Sequence, residues 1–193
     1  ECNMKIKKTF MQGYCYQCFI TSPKTSECIL RPELCRAHKG KARDMKWAKE
    51  HCLQDQYIYL SLTSNLKVGV TRHTQIPTRW IDQGAHYALI LAKTPNRYLA
   101  GMIEKELSQY ISDRTYWRRM LLGEYHHLNL IEEKGKLLKL LKPQYQQFVT
   151  SDKTTISLDY PIIKQPNKIK SLNFDKTPHI QGKLNGIKGQ YLM

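Results

Sequence analysis

A chain of 193 residues with 41% hydrophobic, 10% aromatic and 24% charged side chains is sized for one ordinary domain or two small ones, and wholesale disorder is excluded. No run approaches the roughly 18 consecutive apolar residues of a membrane span, and residues 1–8 lack the apolar centre of a signal peptide, so a soluble, cytoplasmic chain without a membrane partner is expected. Lys and Arg number 31 against 16 Asp and Glu, a formal charge of +15 spread from end to end (+5 over residues 1–55, +4 over residues 152–193), which suits a polyanionic partner, nucleic acid first.

Residues 1–55 are Cys-rich and polar and are expected to form a zinc-binding module. They hold all six cysteines, Cys2, Cys15, Cys18, Cys28, Cys35 and Cys52. A disulfide framework needs an oxidising compartment, and nothing here suggests export. Cys15-Tyr-Gln-Cys18 is a knuckle whose two thiolates can turn toward one tetrahedral ion. Cys28, Cys35 and His38 follow in Cys-x6-Cys-x2-His spacing. Two arrangements fit. One zinc takes Cys15, Cys18, Cys28 and Cys35. Alternatively, Cys2 closes a first knuckle whose partner precedes Glu1, giving a Cys-x2-Cys-x12-Cys-x2-Cys ribbon, and Cys28, Cys35 and His38 serve a second ion with His51 as a further candidate. The candidate ligands for one or two structural zinc ions are therefore Cys2, Cys15, Cys18, Cys28, Cys35 and His38, and Cys52 reads as a plain thiol. Apolar residues are few in this stretch, so metal binding would supply its folding energy. A short helix is expected over Arg43–Cys52, and both chain ends are expected to be cut.

From Gln56 the pattern changes. Tyr57–Leu62 and Leu66–Thr71 are β-branched and aromatic runs flanking the turn residues Thr63-Ser-Asn65, which predicts a hairpin. Pro77 opens a helix to about Gln83, and His86–Lys93 is a third strand. After Thr94-Pro95, Leu99, Ile103, Leu107 and Tyr110 recur on one stripe of a helix over Asn96–Ile111. In that helix the period places Glu106 inside the apolar stripe and Glu104 off it. Asp113–Leu122 is a basic-aromatic stretch in which Trp117, Arg118 and Arg119 could stack on bases and pair with phosphates. Leu128–Leu141 is a further helix, ended by Pro143. Short strands are expected over Thr154–Leu158, Lys168–Leu172 and His179–Met193, a small C-terminal antiparallel β element. His86, His126 and His127 read as surface or satisfied core histidines. The expected division is 1–55 zinc module, 56–125 α/β core, 126–150 helical connector and 151–193 β element, an α+β fold overall.

Two strands, a helix, a strand and a helix over 57–111 resemble the GIY-YIG nuclease core, a small mixed sheet flanked by helices. Tyr57-Ile58-Tyr59 stands at the first name motif and Val68-Gly69-Val70 at the second. The resemblance implies that Tyr59 positions or deprotonates a water, that Arg79 of Arg79-Trp80 neutralises phosphate charge, and that Glu104 of Ile-Glu-Lys-Glu-Leu holds Mg²⁺. It selects Glu104 where periodicity selects Glu106. The second motif departs from the pattern, with Val68 where a catalytic Tyr is usual; Lys67-Val-Gly-Val-Thr71 looks like the Lys-Ile-Gly-Val-Thr variants of some branches. Over nearly the whole chain, Pro-Glu-Leu-Cys35 with Ala-His38, Val-Gly-Val-Thr-Arg72, Arg79-Trp-Ile-Asp-Gln-Gly-Ala85 and Asn96-Arg-Tyr-Leu-Ala-Gly101 also resemble a Cys-rich bacterial family of unknown function. The function expected is nucleic-acid binding, DNA or RNA, through Lys67, Arg72, Arg97, Trp117, Arg118 and Arg119, with Mg²⁺-dependent phosphodiester cleavage. The alternative is a non-catalytic binder of RNA, including ribosomal RNA, on a nuclease-derived fold.

Overall fold

The computed structural model describes the chain apart from residues 12, 113 and 173–175. Asp113, where the basic-aromatic stretch was expected to open, lies outside the described residues. The elements in order are α1 (Tyr16–Thr21), four 3-10 turns (Pro23–Thr25, Glu27–Ile29, Pro32–Leu34 and Ala37–Lys39), α2 (Met45–His51), β1 (Gln56–Leu62), β2 (Leu66–Arg72), a fifth 3-10 turn (His73–Gln75), α3 (Thr78–Asp82), β3 (Tyr87–Thr94), α4 (Arg97–Leu107), α5 (Trp117–Leu121), α6 (Leu130–Leu140), α7 (Pro143–Gln146), β4 (Ile156–Ser157), β5 (Ile187–Lys188) and β6 (Tyr191–Leu192). Among the described residues no helix is long and apolar enough to cross a membrane.

The main sheet has the order β2-β1-β3-β4, and every strand pair is antiparallel. The expected mixed sheet is corrected on this point: consecutive strands β1 and β2 fold back through a three-residue turn, and β3 returns against the other side of β1. Alternation along β1 sorts its side chains. Ile58, Leu60 and Leu62 join Val68, Leu89 and Leu91 in a core covered by Ala100, Ile103 and Leu107 of α4 and by Leu130 and Leu137 of α6. Tyr59 points the other way, against Trp80, Ala85 and Ala88. Tyr59 pairs across the ladder with Gly69. A methyl on Gly69 would sit 2.5 Å from the Tyr59 hydroxyl, so only glycine leaves room for that ring.

Helix α4 starts where Asn96 accepts the Leu99 amide at 3.0 Å. Its two carboxylates part company. Glu106 is buried, taking the Lys142 backbone N–H at 2.6 Å and lying 3.5 Å from Lys142 Nζ. Glu104 stays partly exposed on another face. In α6, the buried Lys134 ammonium donates to the carbonyls of Ile90, Thr150 and Asp152 at 2.6–2.9 Å, tying that helix to the middle of β3 and to the segment that follows α7.

The C-terminal segment is less regular than expected. Among the described residues Lys168–Leu172 forms no strand, β4 covers two residues of Thr154–Leu158, and His179–Met193 gives only the β5–β6 hairpin. Too few apolar residues there face a common side to repay a wider sheet. The hairpin docks through Lys188, whose ammonium lies 2.8 Å from His86 Nε2.

The N-terminal segment rests on α4. The turn Pro32–Leu34 approaches Gly101 so closely that a methyl there would overlap the Glu33 nitrogen and the Pro32 carbonyl carbon. Arg97 stitches the contact: its Nε donates to the Cys28 carbonyl at 2.8 Å, its Nη2 to the Ile29 carbonyl at 3.3 Å, and its backbone N–H to the Cys52 carbonyl at 2.8 Å.

Candidate functional site

Between the N-terminal segment and the sheet lies a cleft of about 360 Å³ that runs along the edge strand β2. The core contributes Tyr59, Lys67, Val68, Gly69, Arg72, Arg79, Gln83, Arg97 and Glu104, and the N-terminal segment contributes Ile29, Leu30, Pro32, Trp47 and His51. Six of the residues nominated from sequence therefore meet in one place: Tyr59, Lys67, Arg72, Arg79, Arg97 and Glu104. They come from several elements. The hairpin register brings Lys67 and Arg72 to its rim, the short helix α3 carries Arg79, and the helical period of α4 brings Glu104 round beside them.

The cleft is basic, with Lys67, Arg72, Arg79 and Arg97 around the one carboxylate of Glu104. Arg72 is held below the usual guanidinium range, first by burial and then by the like charge of Arg97. Two guanidinium groups that repel each other favour an anion between them. Tyr59 is fully buried, donates to Gln83 Oε1 at 2.9 Å and packs edge-on to Trp80. Burial pushes its hydroxyl up to about 12; Arg79 and the Gln83 hydrogen bond oppose the rise, and the Glu104 charge adds to it. At neutral pH Tyr59 is thus a hydrogen-bond donor that holds Gln83, which suits positioning and not proton abstraction.

Other nominated residues lie elsewhere. Trp117 stacks on Tyr191 with ring centroids 5.7 Å apart, Arg118 lies 4.2 Å over the Trp117 ring, and Arg119 sits 3.5 Å from Glu124. This stack belongs to α5 and the C-terminal hairpin and does not line the cleft. Val68 touches the cleft wall, but its side chain is buried in the main core, opposite the Tyr59 face.

The cysteines gather into two groups. In each, the three Sγ atoms lie within 4.8 Å of one another: Cys2, Cys15 and Cys18, and then Cys28, Cys35 and Cys52. Local backbone explains the first. Cys15 caps α1, its Sγ accepting the Cys18 N–H at 3.3 Å, and Cys2 Sγ approaches to 3.6 Å. In the second, Cys52 at the end of α2 stands where His38 was expected; His38 is exposed and stacks on Tyr98 at 4.4 Å. Three crowded sulfurs do not all ionise without a cation. Cys35 is held down to about 2, chiefly by the Cys28 and Cys52 thiols donating to it, while those same contacts push Cys28 and Cys52 up. An all-sulfur donor set of this spacing can hold a metal ion and suits zinc. The structure separates the two sequence arrangements in favour of two groups, one around the knuckle and one downstream.

Sequence reasoning missed Cys52 as a member of a thiol group, Trp47 and Gln83, and it offered His51 as a zinc ligand, whereas His51 stands outside both thiol groups and lines the cleft. Cys52 lies seventeen positions beyond Cys35, with no knuckle spacing to announce it. Trp47 and His51 sit four apart on α2, a spacing that signals a shared helix face but not what that face meets.

The model of a protein family described as protein of unknown function (DUF2797) matches residues 1–193. The chain belongs to that family. This agrees with the resemblance over nearly the whole length to a family without assigned activity. No curated protein and no solved structure matches the chain. This DUF2797 chain carries a basic cleft holding one outward carboxylate and, in its N-terminal segment, two thiol triads.

Proposed function

We propose that the cleft along β2 binds the phosphodiester backbone of nucleic acid and cleaves it with the help of Mg²⁺, on a GIY-YIG-like core. The observation that carries this is the convergence of Lys67, Arg72, Arg79 and Arg97 on one cleft with Glu104 and Tyr59, in a chain of formal charge +15. Phosphate esters are the polyanions that such a cluster neutralises best, and Arg forks match their geometry.

A single carboxylate fits Mg²⁺, which is commonly held by one or two carboxylates with substrate phosphates and water completing its shell. Glu104 would hold the ion, which when bound polarises the phosphate. The chain's own groups do the rest. Arg79, exposed at the end of α3, neutralises charge that develops on the phosphoryl oxygens, and Arg72 and Lys67 fix the backbone register. Tyr59 holds Gln83, whose amide faces the cleft and can orient a water. DNA and RNA both present this chemistry, ribosomal RNA included. The two thiol triads bind structural zinc, the protein works in the cytoplasm, and the division at about residues 55, 125 and 150 marks its functional parts.

One observation favours a non-catalytic binder: with Val68 in the core and the Tyr59 hydroxyl up at about 12, the cleft has no tyrosine ready to take a proton at neutral pH. A single gel separates the two. Wild-type protein and Glu104→Gln are each incubated with plasmid DNA, single strands and structured RNA, in Mg²⁺ or EDTA. Cuts that need Mg²⁺ and vanish in Glu104→Gln are expected. Retarded but intact nucleic acid in both proteins leaves the binder, and no retardation at all removes the proposal.

A further inference from the structure

The cleft is not wholly basic. Trp47 and His51 line it from α2, their rings stacked 4.0 Å apart at 11°, with His51 Nδ1 donating to the Trp47 carbonyl at 2.9 Å. Both rings are only partly buried. A stacked aromatic pair beside a phosphate-binding floor is the arrangement that takes an unpaired base, because each base has a π-face and its phosphate must lie one backbone length away.

What holds that pair in place is the second triad. Helix α2 is short, and its capping group at the start is the Asp44 carboxylate, which accepts the Trp47 N–H at 3.0 Å. At its other end Cys52 meets Cys28 and Cys35. The fully buried apolar residues around these sulfurs are few and small, Ala37 and Ala48 with Cys35 and Cys52, and Met45, Trp47, Leu53 and Tyr98 pack against them only partly buried. Three chain segments with so little core of their own need a cross-link, and a thiolate-bound ion is one.

On the reading of the cleft as a phosphodiester site, we propose that Trp47 and His51 form a nucleobase-stacking platform for single-stranded nucleic acid, set in position by a zinc ion bound to Cys28, Cys35 and Cys52. The zinc has no part in the chemistry of the phosphate. It fixes α2, so base stacking is lost when the ion is lost, whereas the floor of Lys67, Arg72 and Arg79 stays with the sheet and α3.

The test compares two labelled single strands about 12 nucleotides long, oligo(dT) and an abasic strand of the same backbone, bound by the full zinc-loaded chain in Mg²⁺-free buffer. Wild type should bind oligo(dT) roughly tenfold more tightly than the abasic strand, and oligo(dT) alone should quench the emission that Trp47→Phe removes. Trp47→Ala should lower oligo(dT) affinity to the abasic level and leave the abasic affinity unchanged, while Trp47→Phe retains part of the preference. Cys35→Ser should carry one zinc fewer than wild type and behave like Trp47→Ala. Equal wild-type affinity for the two strands overturns the platform with the phosphate site intact. Cys35→Ser that keeps its zinc, or loses it and still prefers oligo(dT), overturns the role of the ion. Binding of neither strand removes the phosphate cleft as well.

Discussion

Two glutamates two positions apart on α4 show how a single side chain's environment decides its work. Glu106 falls within the apolar stripe and, being buried, is satisfied by the Lys142 amide and ammonium. Glu104, turned by about 200° around the helix axis, reaches the basic cleft. Replacing Glu106 by Ala leaves the Lys142 N–H without its charged acceptor and should cost about 1.5–3 kcal/mol in urea denaturation. Glu104→Gln should change stability by less than about 1 kcal/mol. Finding the two costs reversed would mean that the structural and cleft roles are exchanged. Periodicity picked out the buried glutamate, Glu106, and the motif setting picked out the one that lines the cleft, Glu104.

Among the elements, the C-terminal hairpin carries the clearest pH signature. His86, at the entry to β3, is pushed down to about 4, first by burial and then by the Lys188 charge, and its ring stacks on Tyr125 at 4.1 Å. Burial likewise pushes Lys188 down to about 8, so at neutral pH it is mostly charged and donates to the neutral imidazole. Because the folded value of His86 lies below the ordinary 6.5, the unfolded chain takes up the proton first as pH falls. Stability should therefore decline from about pH 6.5 to about pH 4 and level off below. The His86 ring resonances, followed by NMR, should titrate near the lower limit. Lys188→Met should move them part of the way back toward the ordinary value, since burial remains. A histidine that titrates alike in both proteins would exclude the contact with Lys188.

For the whole molecule, the proposed nucleic-acid binding predicts a dependence on charge. If the four cleft cations each displace a counterion from duplex DNA, the logarithm of affinity should fall with the logarithm of salt at a slope of about −3 to −4. Arg79→Ala should flatten that slope by about one. A slope near zero would mean that the formal +15 serves solubility alone. Trp117 and Arg118 lie outside the cleft, so their removal should leave the slope of a short duplex unchanged.

The sequence by itself determined the hairpin of β1 and β2, the third strand and the amphipathic α4, because periods of two and of about 3.6 are local properties of a chain. It also placed the Cys15–Cys18 knuckle, whose two sulfurs are brought together within one turn. Arg79 and Glu104 were legible only through their motif setting. The tertiary structure alone decided which distant groups share a site. Cys52 joins Cys28 and Cys35 because α2 returns against the 3-10 turns, Trp47 and His51 line the cleft from that same helix, and Gly101 lets Pro32–Leu34 press onto α4. It also withheld strands from the C-terminal segment, where a β-branched pattern without a shared buried face gains too little from pairing to offset the ordering of its backbone.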